Sequence, residues 1–471
     1  MAETTVTVIG TKLNRTPPTD DVTVYVDNKI VSRFENVSIS KAIDLCPMTF
    51  NMSYGLKDGE TGDALDFFST DVDEDSINSS GLLVKGQKVE IYLMKQKVLT
   101  GYIENAVESY SHGEHILSIS GRSIVSPIVD CTTDKPSGWS PDSTSNLSDV
   151  ANYMFNGRGI KVVDKTDGSV KFKFGLIGQI DLTTKPFDYV STLCQYEGKL
   201  LYDDEYGRMV IADVASKESL EDSTHDVNGN TYVGTDSDGV QEWDMTNKKI
   251  NTFNDDVVAQ LFEKIEWFQT TLGRYRTYSV VVNAYGGPAG IDNSLIPVSP
   301  VNDPQPNELP PGKTLTIVST AAYPTDGNVN GLIEFQKTLL QYMANKNWGA
   351  SQTISITATG FINPITKKLW KPNECFGFSL TKPKIQGDFV VQSVNFYESR
   401  DSGKMTDLVF IRREALTPEP IVITPMIAGT NNVDIPEDST NNGQSTTSTD
   451  KNQRLNISDT PPPNAKENSS K

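Results

Sequence analysis

Residues 99–131 constrain the fold more than any other stretch of the chain, because they predict a β-hairpin with long arms. The first arm covers residues 100–110. The second arm, residues 116–121, alternates strictly and places Leu117 and Ile119 on one face. A period of two is typical of a strand that buries one face. The stretch therefore predicts an antiparallel β architecture for this part of the chain.

The ends of this hairpin are also marked in the sequence. Residues 111–114 supply the turn, and Gly113 can adopt a positive φ there. Pro127 blocks continuation of the second arm, since proline cannot donate to a ladder.

Residues 1–131 are otherwise rich in short alternating segments. Asp27-Asn28 is a turn signal between two of them. The alternating segments are 21–31, 34–43, 48–54 and 82–93. Short strands with turn signals at this spacing predict a small closed barrel or a sandwich.

Residues 132–240 change character and predict an α+β module. A first helix over 146–155 has Asn146 as its cap. A second helix over 183–197 has Thr183 or Thr184 as its cap and ends before Gly198. A hairpin over 199–212 follows.

Residues 241–416 predict a second β region, interrupted by an α+β excursion at about 286–350. The excursion ends in a helix over 328–345, whereas the pattern at 254–268 leaves helix and strand open. Further strands are expected at 352–360, 370–380, 388–397 and 405–411. Residues 417–471 are mostly Ser, Thr, Asn, Pro and Asp, and we expect this tail to be disordered.

The two β regions resemble each other. Residues 83–87 match residues 369–373, Gly101 matches Gly387, and Tyr110 matches Phe396, all at one separation of 286 positions. A constant separation favours a duplication. The fold class predicted is mainly β with α+β modules: two similar small β-barrels, α+β insert domains and a disordered C-terminal tail.

Composition restricts the function. The 471 residues carry a net charge of −19, which argues against a nucleic-acid-binding or anionic-membrane surface. We expect no signal peptide and no membrane-spanning helix. The four cysteines form no CxxC pair, so buried free thiols are expected.

Five motifs could in principle carry chemistry, and none has the complete pattern. His112 and His115 lie on a turn rather than a helix, and residues 226–230 lack the final glutamate of a calcium loop. Residues 203–205 hold carboxylates on one hairpin turn only, and residues 157–159 lack the rest of a phosphate loop. Cys194 is expected on a buried helix face. We therefore predict no catalytic, cofactor-binding or metal-ligating residues, no cofactor, and no enzymatic activity.

The hairpin also carries a family resemblance. The strand Thr100-Gly101-Tyr102-Ile103, the strand ending in Ser120-Gly121-Arg122-Ser123 and the following Asp130-Cys131 resemble the baseplate hub proteins of Mu-like contractile-tailed bacteriophages, the gpP group. With gaps, the resemblance covers residues 20–415. It includes the helix–Gly–hairpin at 186–211 and the segments at 369–373 and 389–394. The polar tail has no counterpart in the Mu-like members.

The resemblance implies a homotrimer in the virion baseplate, assembled in the bacterial cytoplasm. Each chain would contribute two barrels to a pseudo-hexameric ring that joins the six-fold tail tube to the three-fold central spike. Baseplate wedge proteins are implied as further partners, with tape-measure proteins as an additional candidate, and DNA would pass the lumen without specific binding. The alternative is a virion-associated polysaccharide-degrading enzyme or adhesin, for which no carboxylate pair or solenoid repeat is visible.

Overall fold

The computed structural model describes part of the chain, and all of it lies within the unit Met1–Ile423. The described residues are 7–8, 11–12, 21–31, 34–43, 46–56, 83, 85–111, 114–139, 141, 145–166, 180, 182–215, 252–285, 294–322, 329–364, 366, 368–399 and 402–421.

The first β half consists of seven strands, preceded by a pair of two-residue strands, β1 (Thr7–Val8) and β2 (Thr11–Lys12). Its strands are β3 (Val22–Val26), β4 (Lys29–Val31), β5 (Asn36–Ala42), β6 (Thr49–Leu56), β7 (Lys88–Leu93), β8 (Gln96–Ser111) and β9 (Glu114–Ser123). They pair in the order β4-β3-β7-β8-β9-β6-β5. The expected long hairpin is confirmed as β8 and β9, and its turn residues 112–113 lie outside the described residues.

Left-handed residue pairs form the tight turns of this half. Asp27 and Asn28 have φ values of 46° and 68°, as the turn signal predicts. Met94 and Lys95 adopt the same conformation between β7 and β8, where the sequence gives no Gly or Asn signal. Positive φ at both central residues matches the right-handed twist of a hairpin.

The α+β module follows directly. Its elements are α1 (Ser126–Asp130), α2 (Leu147–Asn156), β10 (Val162–Asp164), α3 (Pro186–Tyr196), β11 (Leu200–Asp203) and β12 (Met209–Ala212). Asn146 caps α2 by accepting a hydrogen bond from the Asp149 amide at 2.7 Å, as expected. The cap expected for α3 at Thr183 or Thr184 is wrong: Lys185 occupies that position without a side-chain bond, because Pro186 already sets the first helical φ.

The segment that the sequence leaves open between helix and strand contains both. It comprises β13 (Thr252–Asn254), α4 (Asp255–Leu261) and β14 (Phe262–Gln269). Asn254 caps α4 through the Val257 amide at 2.9 Å.

An insert with its own sheet and core comes next. Its elements are β15 (Thr277–Tyr285), β16 (Ser294–Pro297), β17 (Val301–Asn302), β18 (Thr314–Ala322) and α5 (Val329–Ala350). β15 lies at the centre and pairs with β16 and β17 on one side and with β18 on the other. The insert sheet thus begins at Thr277, upstream of the expected excursion at 286. Buried Arg274, just before this sheet, forms a bidentate ion pair with Asp303, in which Nη2 and Nε donate to the two carboxylate oxygens at 2.7 and 3.1 Å.

The second β half is completed by four more strands. They are β19 (Gln352–Thr359), β20 (Cys375–Leu380), β21 (Ile385–Ser399) and β22 (Gly403–Arg412). The order is β14-β19-β22-β21, with β20 also on β21 and β13 parallel to β20. β5 of the first half pairs with β21, so one continuous ladder runs from β4 to β14. Buried side chains of both halves accordingly form one hydrophobic cluster.

The same five-strand pairing occurs in both halves. The series β7-β8-β9-β6-β5 corresponds to β20-β21-β22-β19-β14. β8 shifts register between Ile103 and Asn105, and β21 shifts between Val391 and Ser393. A bulge at the same place in both long strands fixes which residues are equivalent.

The constant separation of 286 is therefore wrong in detail. The amide of Gly86 donates to the Ile103 carbonyl at 2.7 Å, and the amide of Asn373 donates to the Val391 carbonyl at 2.9 Å. Gly86 is thus equivalent to Asn373 rather than Pro372, a separation of 287, and Ile103 is equivalent to Val391, a separation of 288. Gly101 and Gly387 are not equivalent, because equivalence follows from the hydrogen-bonded strand pairing and not from residue identity.

The polar tail begins inside the folded unit. Ala415 and Leu416 are buried. The carbonyls of Thr417 and Glu419 both accept from Asn345 Nδ2 of α5, at 2.8 and 2.6 Å. Residues 417–421 are therefore part of the described unit, and the remainder of the expected tail, 422–471, lies outside the described residues.

Candidate assembly surface

The joint between the two β halves is the feature with the clearest functional meaning. β5 pairs antiparallel with the C-terminal part of β21, from Ser393 opposite Ala42 to Ser399 opposite Asn36. Asn395 Oδ1 accepts from the hydroxyls of Ser38 and Ser40 at 3.0 and 2.9 Å. Backbone and side-chain bonds together fix the relative position of the halves.

A lysine is buried at this joint. Lys41 lies on β5 with its ammonium 5.1 Å from the centre of the Phe396 ring. Burial lowers the pKa of Lys41 to about 8, although nearby Glu205 and Glu374 favour its charged form. The cation–π contact and these acids offset part of the cost of desolvation.

Asp203 ties the α+β module to the first half. Its Oδ2 accepts from the Met48 amide at 3.0 Å and from the Ser123 hydroxyl. Burial raises the pKa of Asp203 to about 6, against the effect of those hydrogen bonds. Its Oδ1 has no hydrogen-bond partner among the described residues.

The neighbouring carboxylate, Asp204, shapes the hairpin turn. It accepts from the amides of Tyr206 and Arg208 at 3.0 and 2.9 Å and from Arg208 Nε at 2.7 Å. Asp203 and Asp204 are therefore both engaged in contacts that hold the fold.

Arg122 of β9 forms an ionic cluster whose partners no local sequence pattern predicts. It donates to Glu104, the bulged residue of β8, at 2.8 Å and bidentately to Asp130. The hydrogen bonds that Arg122 donates to Asp130 and Glu104 raise the pKa of the guanidinium above its ordinary value. The cluster borders an open cavity of about 320 Å³ on the surface of β5, β6, β8 and β9.

The remaining sequence candidates are not brought together. His112 and residues 226–230 lie outside the described residues, as does the side chain of His115. Arg158 donates to the Thr132 carbonyl at 2.6 Å and Cys194 is buried in the module core. Within the described ranges no group of three or more His, Cys, Asp or Glu could hold a metal ion.

Two further expectations can be compared with the fold. Cys46, Cys194 and Cys375 are buried free thiols as expected, but Cys131 is exposed just after α1. No helix in the described part of the chain combines the length and apolarity needed to cross a bilayer.

Several strand edges are unpaired among the described residues, and two of them, on β14 and β8, belong to the repeated five-strand pairing. β14 pairs only with β19, and residues 105–111 of β8 pair only with β9. Each edge carries a large exposed apolar side chain: Val107 on β8 is 58% exposed and Phe268 on β14 is 57% exposed. The sequence predicts the strand β8 and leaves the segment of β14 open between helix and strand. It does not show that these edges are open, since an edge depends on distant pairing.

Comparisons with known proteins agree with this architecture. Residues 21–123, which contain the whole first β half, match the family described as Mu phage baseplate assembly protein GpP-like, N-terminal. The comparison with curated protein sequences found no match.

Two solved structures share the fold over most of the chain. The prophage MuSo2 43 kDa tail protein from Shewanella oneidensis superposes with a TM-score of 0.59 at 19% identity, covering 84% of this chain and 100% of that one. The tail protein from Neisseria meningitidis MC58 gives 0.57 at 17% identity, covering 85% and 98%. The shared fold thus extends over most of the chain, and within it residues 21–123 match the model of the family described as Mu phage baseplate assembly protein GpP-like, N-terminal.

Proposed function

We propose that this chain is the central hub of a contractile-tail baseplate, where it joins a six-fold tail tube to a three-fold central spike. One observation carries the proposal: the same five-strand pairing occurs twice, and the two copies are joined within one chain along β5 and β21. Three such chains in a ring contain six similar β units, which give approximate six-fold symmetry, and three identical chains, which give three-fold symmetry. A closed ring of this kind meets both symmetries.

The supporting comparisons are those with phage tail proteins. The family matched by residues 21–123 is described by its role in baseplate assembly. Both similar solved structures are named as tail proteins. The baseplate wedge and tape-measure proteins belong to the proposal as further contacts, and assembly would take place in the host cytoplasm.

The proposed domain plan follows the repeat. Each β half forms a barrel-like unit, over 1–131 and over 241–416. The α+β module at 132–240 and the excursion within the second half would lie outside the ring wall. Residues 422–471 form a polar tail whose composition cannot support a core.

The proposed role is structural rather than catalytic. Asp203 and Asp204, the carboxylates that most resemble a glycosidase pair in sequence, are committed to Met48, Ser123 and Arg208. Glycoside hydrolysis needs two carboxyl groups that flank a substrate bond.

The charge of the chain suits a DNA passage. With a net charge of −19, a ring lumen would repel a duplex, since phosphate contacts by basic groups supply most non-specific affinity. We expect no binding of duplex DNA at physiological salt in a filter-binding or fluorescence anisotropy assay. Salt-sensitive binding would contradict this expectation.

The oligomeric state tests the proposed hub. The mass of the full-length protein would be measured by light scattering, alone and mixed with the spike and tube proteins of the same phage, and particles would be imaged by electron microscopy. Three chains in a ring, in either sample, support the hub. Any other stoichiometry in both samples overturns it.

A further inference from the structure

The joint within one chain defines how a joint between chains could form. The N-terminal part of β21 pairs with β20, and its C-terminal part, from Ser393, pairs with β5 on the same side. β22 occupies the other side along nearly the whole strand. β21 therefore holds two different strands end to end along one edge.

The equivalent strand of the first half has only one of these partners. β8 pairs with β7 over Gln96 to Tyr102, and β9 occupies its other side. Among the described residues nothing pairs with the edge of residues 105–111, which corresponds to the part of β21 that holds β5. The strand equivalent to β5 is β14, and its outer edge is likewise unpaired within the described ranges.

We propose that β14 of one copy pairs antiparallel with residues 105–111 of β8 in a second copy. This inference rests on the proposed ring. A rotation by one β unit around such a ring superposes the first half on the second half, and the second half on the first half of the next chain. This rotation places β5 on β14, and β21 on β8 of the next chain. The joint between chains then repeats the joint within the chain.

The register follows from the ladders. Asn395 faces Ser40 in the joint within the chain. The bulges make Asn395 equivalent to Val107, and the pairing through β6 and β19 makes Ser40 equivalent to Phe268. Val107 of one copy therefore faces Phe268 of the next, and by the same transfer Ser109 faces Glu266.

Side-chain chemistry agrees independently with this register. Val107 and Phe268 are more than half exposed in a single chain, and the register places them directly opposite each other. At the equivalent position of the covalently continuous joint, Asn395 bonds with Ser38 and Ser40 instead. The joint between two chains has no covalent connection, and an apolar cross-strand pair such as Val107 with Phe268 would stabilise it.

Backbone chemistry also favours pairing at these edges. Unpaired N–H and C=O groups of an edge strand are a site for addition of another strand. The charged residues of β14 on this face, Lys264 and Glu266, already pair with each other at 2.9 Å and would face serines rather than like charges.

Engineered disulfides test the register. Directly opposed residues in an antiparallel pair have Cα atoms about 4.5–5.5 Å apart, within the range of a disulfide. The full-length chain with Cys131→Ser would carry Val107→Cys and Phe268→Cys, or Ser109→Cys and Glu266→Cys. Val107→Cys with Lys264→Cys is the matched control, since Lys264 lies on the same face of β14 but four residues out of register.

Both matched pairs should give disulfide-linked trimers on a non-reducing gel, and the mismatched pair should stay at least tenfold less linked. A trimeric ring in which neither matched pair links would overturn this register and leave the proposed hub intact. Equal linking of the mismatched pair would also overturn it. Failure of the uncrosslinked protein to trimerise with its partners would instead overturn the hub, and this inference with it.

Discussion

The first β half fills its interior mainly with aliphatic side chains, whereas the second fills its interior with aromatic rings. Val24, Ile39 and Ile91 are typical of the first core. In the second, Phe253 stacks on Phe376 at 4.9 Å, and Phe378 meets Phe410 edge-on at 5.3 Å. The two halves keep the same strand pairing around different cores.

One pair of equivalent sites shows how the volume is redistributed. Phe50 on β6 faces Gly121 on β9, whereas Ile354 on β19 faces Phe410 on β22. The aromatic ring lies on β6 in the first half and on β22 in the second. The second pair is also larger, because it combines the ring with isoleucine rather than glycine, so the residues that pack around the two pairs must differ as well. The two halves therefore retain the bulge and the turn that enters β7 or β20 (the entry turn, with Gly86 or Asn373), whereas the core residues vary.

The largest expected effect comes from the aromatic core. Trp370→Ala should cost about 3–5 kcal/mol of unfolding free energy, because Trp370 is fully buried against Phe262 and Phe376. Leu83→Ala, at the equivalent position of the first half, should lower the unfolding free energy by only about 2 kcal/mol. Denaturant unfolding of the full chain measures both losses.

Trp370→Phe is the matched control for that substitution. It keeps an aromatic ring and removes an indole N–H that has no partner among the described residues. It should therefore lose much less stability than Trp370→Ala, and equal losses would contradict the packing explanation.

Gly121→Ala should destabilise the first half by about 2–3 kcal/mol through overpacking. A Cβ atom there would lie 1.9 Å from the Tyr102 carbonyl oxygen and 2.8 Å from the Phe50 ring. Adding Phe50→Leu should not rescue the variant, because the clash with the backbone remains. Ser118→Ala on the outward face is the control, and thermal unfolding by circular dichroism would compare the three.

The entry turns differ in what they hold. Gly86 and Asn373 both have positive φ, of 89° and 66°. Asn373 also accepts from the Ala215 amide at 3.0 Å and donates to the Asp213 carbonyl at 2.9 Å, so it fastens the end of the α+β module. Asn373→Gly should cost about 1–3 kcal/mol for two hydrogen bonds.

The reciprocal change places asparagine in the turn of the first half. Gly86→Asn should cost under about 1 kcal/mol, because asparagine tolerates the left-handed region and no atom lies within 4 Å of an added Cβ. Chemical denaturation of both variants measures the difference. Equal costs in the two turns would show that the turn conformation matters and the anchoring bonds do not.

Sequence patterns identify the local elements of this fold well. The β8–β9 hairpin, the Asp27-Asn28 turn and the Asn146 cap all follow from period and turn chemistry. The repeat is visible for the same reason. The exact register of the repeat is not visible in the sequence. Residue identity matches Gly101 with Gly387, whereas in the fold the left-handed equivalent of Gly86 is an asparagine, Asn373.

The candidate assembly surface depends on information that no local pattern contains. Pairing of β5 with β21 joins residues more than 350 positions apart. Whether Val107 and Phe268 are exposed depends on which strand lies beside them, so alternation alone cannot tell an edge from a paired strand. Only the ladder order shows that these two edges are open within the described part of the chain.

The smallest expected effect concerns the residue after the entry turn, which is Gln87 in the first half and Glu374 in the second. Glu374 is half-buried, and desolvation of its carboxyl raises its pKa to about 7 from 4.5. Between these values the folded state binds a proton that the unfolded state lacks, so stability falls as pH rises from about 4.5 to 7. Glu374→Gln, which copies Gln87, should remove this contribution.

The variant should therefore gain about 1 kcal/mol relative to the parent protein between pH 5 and pH 7.5. The full shift would correspond to about 1.4 kcal/mol per pH unit, and partial exposure reduces it. Asp203 has the same sign over a lower range and does not depend on Glu374, so it cancels between the two proteins. Lys41 does not cancel, because Glu374 favours its charged form and the variant lowers the pKa of Lys41 further, which opposes the gain at the upper end of the pH range. Denaturant midpoints across this pH range measure it, and parallel curves would show that the pKa of Glu374 is the same in the folded and unfolded states.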